Sequence, residues 1–130
     1  MGTVSDLEVQ RRRDMARVVV QVMRDWGLPP AGQARLLGTE GDDPRELLAA
    51  FEDGLDEAAE ERLWRHMSAV LTIHTALRQM HPQSTDMANY WVSTPHPYFN
   101  DRPPLDLMVE QGLEGMQRVI DHLNGLGEWG

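Results

Sequence analysis

The sequence predicts an all-α protein on three grounds. Apolar residues recur at helical spacing in several segments, no segment alternates apolar and polar residues as a half-buried strand does, and glycines and prolines fall between the helical segments. The length of 130 residues suits one domain that can bury a sizeable core. We therefore predict six or seven helices, with no internal repeat and no low-complexity tract.

The N-terminal part contains three predicted helices. The first covers residues 5–26, in which one apolar stripe is formed by Met15, Val18, Val19, Val22 and Trp26. Gly27 ends this helix, and Pro29 and Pro30 precede a short helix over residues 31–37. A third helix is predicted over residues 44–53, with Asp43 as its N-cap and Pro44 at its first position.

The C-terminal part begins with a long helix predicted over residues 56–81. Its apolar face consists of Leu63, Trp64, Met67, Val70, Leu71, Ile73, Leu77 and Met80. A short helix over residues 84–91 follows, and four prolines between positions 93 and 104 predict an irregular extended loop. Gly112 separates two further helices, over residues 105–110 and 113–123. The tail over residues 124–130 is predicted to be a flexible, glycine-rich end.

The composition excludes several classes of protein. The chain has no cysteine, which excludes disulfides, thiol nucleophiles and cysteine-ligated zinc. No run approaches the roughly 18 consecutive apolar residues that a membrane-spanning helix needs, and the N-terminus lacks the apolar stretch of a signal peptide. We therefore expect a soluble, cytoplasmic protein.

The net charge of −9 disfavours binding of nucleic acid by the whole surface. The acidity is concentrated in residues 40–61, whereas residues 1–39 hold six arginines and four acidic residues. The second and third helices follow each other as in a helix-turn-helix unit, but acidic residues surround Arg45, the one residue of the third helix suited to base recognition. A local DNA contact is left open for Arg11, Arg12, Arg13 and Arg17.

The histidines and acidic residues do not predict an active site. His66, His74 and His81 are eight and seven residues apart, whereas two metal ligands on one helical face need a spacing of three or four. Neither a nucleophile elbow nor a phosphate-binding glycine loop occurs. We therefore expect that the protein is not an enzyme and that it holds no metal and no cofactor.

The most specific feature is the segment of residues 91–108 (WVSTPHPYFNDRPPLDLM). It combines an aromatic residue, a proline-rich loop and a helix start. Prolines lower the entropy that a loop loses on binding, and Tyr, Phe and Arg side chains are common at interfaces. The alternative is that Trp91, Phe99 and Leu105 merely pack the loop onto the helices.

This segment resembles the Xre/MbcA/ParS antitoxin family, whose C-terminal part is a small helical toxin-binding domain. The resemblance is carried by Trp91, Thr94, Pro95, residues 102–108 (RPPLDLM), Gly112 and residues 115–123. Upstream, residues 26–28 (WGL) and 34–38 (ARLLG) resemble the degenerate helix-turn-helix of the family. The resemblance implies a helix-turn-helix-like region over residues 1–55, followed over residues 56–130 by a long helix and the toxin-binding domain.

The resemblance also implies a function. Members are non-enzymatic antitoxins that cover the active-site entrance of a RES-type, NAD-consuming toxin, and some form homodimers and repress their own operon. We therefore expect a toxin partner and a homodimer. Two features depart from the family pattern. His96 and Asp101 replace the usual asparagine and glycine of the loop, and the acidic third helix differs from a DNA-reading one.

The expected partner-binding residues are Trp91, His96, Tyr98, Phe99, Arg102, Leu105, Asp106, Arg118 and Trp129. The alternative function is a DNA-binding autorepressor that acts through residues 9–53, and its expected contacts are Arg11, Arg12, Arg13, Arg17 and Arg45. A third interpretation is an orphan adaptor of the same fold whose toxin has been lost or replaced.

Overall fold

The computed structural model describes residues 2–38, Glu46 and residues 57–129. Within these residues the chain forms six α-helices, α1 (Gly2–Asp25), α2 (Pro30–Leu36), α3 (Glu57–Met80), α4 (Thr85–Val92), α5 (Pro104–Gln111) and α6 (Leu113–Trp129), and one 3-10 turn (Pro97–Phe99). The all-α class is confirmed. The predicted third helix over residues 44–53 lies outside the described residues.

The ends of the helices follow the signals in the sequence. At the end of α1, the Leu28 amide donates to the carbonyl of Met23 (3.0 Å), and Pro29 then precedes α2. The hydroxyl of Ser84 accepts a hydrogen bond from the Met87 amide (3.1 Å), so Ser84 is the N-cap of α4. These boundaries agree with the predicted ones to within a few residues.

The core is organised around α3, which packs against α1, α4 and α6, while α5 packs against α2, α4 and α6. The most deeply buried side chains of the core are Val19, Met23, Leu36, Leu37, Met67, Val70, Ile73, Leu77, Val92, Met108, Met116 and Val119. Because each helix contributes to this single cluster, the loop between α4 and α5 rests on a rigid support.

Three residues that were predicted to be buried are exposed. Val18 is 47% exposed and Trp64 is 52% exposed, and Met80 also lies at the surface. Val18 lies about 100° around α1 from the buried Val19, and Trp64 lies about 100° around α3 from the buried Leu63. In each case the neighbouring helices cover the side of the buried residue only. The apolar stripes of α1 and α3 are therefore narrower than the sequence pattern predicts.

The prediction of a flexible tail from residue 124 is wrong, because α6 continues to Trp129. Each glycine in a helix costs about 1 kcal/mol relative to alanine, but extending an existing helix needs no new nucleus. The first turns of α6 are fixed by the buried Met116 and Val119, so helix formation propagates through Gly125.

Two glycines are required where α5 meets α6. Gly112 separates the helices at φ 63° and ψ −131°, a conformation that side chains rarely allow. A Cβ atom at Gly115 would lie 2.5 Å from the carbonyl oxygen of Leu107, so α6 passes directly against the backbone of α5.

None of the helices in residues 2–38 and 57–129 combines the length and the apolar character that a membrane-spanning helix needs.

Candidate partner-binding surface

The loop between α4 and α5 is a compact turn rather than the irregular extended loop that the prolines predicted. Pro97 starts the 3-10 turn, and Asn100 and Asp101 follow with left-handed φ angles of 59° and 62°. The chain then returns on itself, so that the His96 amide donates to the Arg102 carbonyl (3.3 Å) and the Asp101 amide donates to the His96 carbonyl (3.0 Å). These backbone bonds fix the shape of the loop.

Five rings gather where this loop meets α4 and α6, and we call them the aromatic cluster: Trp91, His96, Tyr98, Phe99 and His122. The ring of His122 stacks on Tyr98 with centroids 4.1 Å apart, and it lies nearly parallel to the Trp91 ring at 6.2 Å. His96 covers Trp91 at 4.6 Å, and Phe99 meets Trp91 and His122 edge-on. The cluster therefore ties the loop to both helices.

Exposure differs sharply within the aromatic cluster. Phe99 is buried and anchors the loop in the core, whereas Tyr98 is 62% exposed although it stacks on His122. Trp91, His96 and His122 are half-buried. The cluster thus presents one large aromatic side chain to solvent on a base of packed rings.

A hydrogen bond sets the tautomer of His96, and burial changes the pKa of His122. The His96 Nε2 lies 3.1 Å from the Trp91 carbonyl oxygen, and because a carbonyl only accepts, Nε2 carries the proton and donates it. Burial, and secondarily the charge of His96, lowers the pKa of His122 below 6.5. The lowered pKa favours the neutral form of the His122 ring in the stack.

Arg102 leaves the loop toward α5, where it forms an ion pair with Glu110. The hydrogen bond with Glu110, together with the charges of Glu110 and Asp106, raises the pKa of Arg102. Asp106 is exposed on the first turn of α5, whereas Leu105 is buried beside it. One exposed cation and one exposed carboxylate therefore lie at the start of α5.

The structure brings together four of the predicted partner-binding residues, Trp91, His96, Tyr98 and Phe99, in the aromatic cluster. Arg118 is exposed on α6, and the side chain of Trp129 lies outside the described residues. His122 was not among the predicted residues, although its position one helical turn after Arg118 on α6 was a usable signal.

The described arginines predicted for DNA binding lie on two faces of α1. Arg13 and Arg17 are exposed about 40° apart on one face, and Arg11 is exposed about 160° and 120° around the helix from them. Arg17 also lies 3.9 Å from the carboxylate of Asp14. The side chain of Arg12 and all of Arg45 lie outside the described residues.

Two further features of the described residues bear on ligand binding. Among residues 2–38, 46 and 57–129, no group of three or more His, Asp or Glu side chains is placed to hold a metal ion. A shallow cleft of about 320 Å³ between α3 and α6 is lined by Leu71, Thr72, Thr75, Ala76, Gln79 and Asn124. This lining carries no charge that would recognise an ionic ligand.

The structure is a small helical domain with an ordered loop that presents an exposed aromatic side chain, Tyr98. Comparison with known families identifies it further, because residues 76–127 match the family described as the antitoxin Xre/MbcA/ParS C-terminal toxin-binding domain. The match contains α4, the loop, α5 and most of α6, and therefore the whole aromatic cluster. No curated protein and no solved structure matches the chain.

Residues 76–127 thus match the model of the Xre/MbcA/ParS toxin-binding domains, and the resemblance found in the sequence is confirmed over this part of the chain. The domain supports an antitoxin function, with a toxin as the partner. It also indicates a binding protein rather than an enzyme.

Proposed function

We propose that this protein is an antitoxin that neutralises a RES-type, NAD-consuming toxin by covering the entrance to its active site. The observation that carries the proposal is the position of Tyr98, which stands exposed on a stack of packed rings inside the toxin-binding domain. Occlusion requires only a complementary surface at the mouth of the toxin's site, typically about 800 Å² on each partner.

The loop is suited to this role because it is already ordered in the free chain. Its two left-handed residues and the hydrogen bonds between His96 and residues 101–102 hold one conformation before any partner arrives. Binding through a preformed loop avoids most of the ordering cost of about 0.5–1.5 kcal/mol per immobilised side chain. The affinity then depends on the few side chains that the loop presents.

We assign these contacts to the exposed side chains around the loop. Tyr98 is the central contact, Arg102 and Asp106 provide polar contacts beside it, and Arg118 extends the surface along α6. Arg102 can exchange its exposed partner Glu110 for an anionic group of the toxin at little cost, since exposed ion pairs contribute about 0–1 kcal/mol. His96 and Trp91 complete the rim, and Trp129 stays a predicted contact.

Phe99 and Leu105 have a different role in this proposal. Both side chains are buried, so they hold the loop and the start of α5 rather than touch the toxin. Their truncation would lower binding together with stability, whereas truncation of Tyr98 would lower binding alone. This difference separates contact residues from supporting ones.

The test is co-expression with the product of the neighbouring gene, followed by co-purification and a growth assay. Tyr98→Ala is the diagnostic variant, and Tyr90→Ala is its matched control, because Tyr90 is 64% exposed on α4 and makes no ring contact in the described part of the chain. We expect Tyr98→Ala to weaken the complex at least tenfold, about 1.4 kcal/mol, and Tyr90→Ala to leave it unchanged. Equal effects of the two variants would refute the assignment of the surface.

The competing function is a DNA-binding autorepressor acting through residues 9–53. Arg13 and Arg17 share one face of α1, but Arg11 lies on another face and Arg17 lies 3.9 Å from the carboxylate of Asp14. An absence of any complex in the co-expression test would favour this function or the orphan adaptor. A gel-shift assay with the upstream region of the gene would then separate the two.

A further inference from the structure

The ring of Tyr98 has one covered face and one free face. His122 occupies the covered face, since the two rings lie 4.1 Å apart with an angle of 25° between their planes. Phe99 lies at similar distances from both rings, 5.0 Å from Tyr98 and 5.2 Å from His122, so it stands beside the pair. Because Tyr98 is still 62% exposed, its outer face is open to a partner.

The position of His122 is set by the packing of α6 and not by the loop. Val119 and Leu123, three residues before it and one residue after it, are buried in the core, and His122 itself is half-buried. The ring of Trp91, on α4, lies nearly parallel to the His122 ring, with 19° between the planes and 6.2 Å between the centroids. His122 therefore gives Tyr98 a ring of fixed position to stack on.

The backbone of the loop does not by itself set the direction of the Tyr98 ring. Tyr98 is the middle residue of the 3-10 turn, so its backbone is fixed, but a side chain this exposed ordinarily exchanges between staggered rotamers. A partner that binds such a side chain must pay the entropy of holding it in one rotamer. The stack on His122 restricts the ring beforehand, because rotation about the Cα–Cβ bond of Tyr98 would break it.

We propose that His122 is a positioning residue for toxin binding, which holds the Tyr98 ring so that its free face is presented to the toxin. This inference rests on the proposed function, in which Tyr98 is the central contact. It adds a residue of α6 that acts through Tyr98 from 24 positions away in the sequence. The two alternatives are that His122 contacts the toxin itself and that it only stabilises the fold.

The order of the Tyr98 side chain can be measured in the free chain, without any toxin. The chain has two tyrosines, so isotope-labelled tyrosine gives two sets of NMR signals, and Tyr90, exposed on α4 outside the aromatic cluster, is the internal reference. Three-bond couplings between the α and β protons report the rotamer populations. We expect one dominant rotamer of Tyr98 in the wild type and in His122→Phe, and averaged couplings in His122→Ala. A single Tyr98 rotamer in His122→Ala would overturn the proposal.

The affinity for the toxin is measured for the same variants. We expect His122→Ala to weaken the complex about three- to tenfold and His122→Phe, which keeps an aromatic face under Tyr98, to recover most of the affinity. His74→Ala is the matched control and should have no effect, because His74 is a half-buried histidine on α3 outside the aromatic cluster. A loss in His122→Phe as large as that in His122→Ala would contradict positioning by the ring.

A double-mutant cycle separates positioning from direct contact. In a Tyr98→Ala background, His122→Ala should cause no further loss of affinity, because the ring that it positions is gone. Equal losses with and without the Tyr98 ring would show that His122 acts independently and would overturn the proposal. Thermal unfolding of each variant identifies any loss that arises from the fold.

Failure of this proposal can be distinguished from failure of the proposed function. If no complex forms with the wild-type chain, the proposed function fails, and the role of His122 in toxin binding fails with it. If the complex forms and weakens with Tyr98→Ala but not with His122→Ala, the proposed function stands and the positioning role is refuted.

Discussion

Gly115 offers a direct test of the packing that supports the loop. A Cβ atom at this position would lie 2.5 Å from the Leu107 carbonyl oxygen and 3.0 Å from the Cβ of Gln111, so Gly115→Ala forces α6 away from α5. The obstacle is backbone rather than the end of a flexible side chain, so the overlap cannot be removed by a rotamer change. We expect the substitution to destabilise the fold.

The magnitude follows from two opposing effects. Overpacking a close contact costs roughly 1–3 kcal/mol, and replacing glycine by alanine within a helix returns up to about 1 kcal/mol. Because the obstacle is backbone, we take the upper part of this range, about 2–3 kcal/mol, and the full helix gain of about 1 kcal/mol then leaves a net loss of about 1–2 kcal/mol. For a domain of this size it corresponds to a fall in Tm of roughly 4–8 °C.

Gly125 is the matched control for this experiment. It lies on the same helix, α6, and a Cβ atom added there would meet no neighbour within 4 Å, so Gly125→Ala keeps the gain in helix propensity without the overlap. Thermal unfolding followed by circular dichroism should show a lower Tm for Gly115→Ala and an equal or higher Tm for Gly125→Ala. A Gly115→Ala protein as stable as the Gly125→Ala protein would refute the close approach of α5 and α6.

Three further predictions concern stability. Asp101→Gly should raise the free energy of unfolding by roughly 0.5–1 kcal/mol in urea titrations, because glycine adopts the left-handed φ of 62° without strain; a loss would contradict this. Stability should fall as the pH drops below 6.5, because burial lowers the pKa values of His66, His74 and His122 in the folded chain while the unfolded histidines still take up protons; pH-independent unfolding between 7 and 5 would contradict this. Ser84→Ala should cost about 1 kcal/mol by removing the N-cap of α4, and an unchanged midpoint in the same titrations would argue against the cap.

The pH prediction has a structural basis at His66. Its Nδ1 donates to the Leu36 carbonyl (3.1 Å), and its Nε2 faces Gly38, where an added Cβ would lie 2.7 Å away. The buried ring therefore lies directly against the backbone of Gly38. Protonation below pH 6.5 would place a charge at this contact between α3 and the end of α2.

The helices were predictable because their signals are local. Glycines, prolines and the N-cap Ser84 mark the ends of α1, α2 and α4, and apolar spacing marks the buried faces. The width of a buried face was not predictable, since it depends on which neighbours a helix has. This is why Val18 and Trp64 were wrongly placed in the core.

The candidate surface was predictable in part for the same reason. Residues 91–108 were singled out by their composition, and the left-handed φ of Asp101 is a conformation that glycine, the residue expected there from the resemblance, adopts without strain. The stacking of His122 on Tyr98 was not predictable, because it joins residues 24 positions apart through the packing of α6. Residues brought together only by tertiary structure leave no pattern in a single sequence.

The most direct test of the proposed antitoxin function is a titration, with this purified chain, of the NAD-consuming activity that the proposal assigns to the partner toxin. We expect inhibition that saturates at a fixed molar ratio, that survives Tyr90→Ala, and that weakens at least tenfold with Tyr98→Ala. A toxin that binds the chain yet consumes NAD at an unchanged rate would contradict occlusion. Inhibition that is insensitive to Tyr98→Ala would contradict the binding surface.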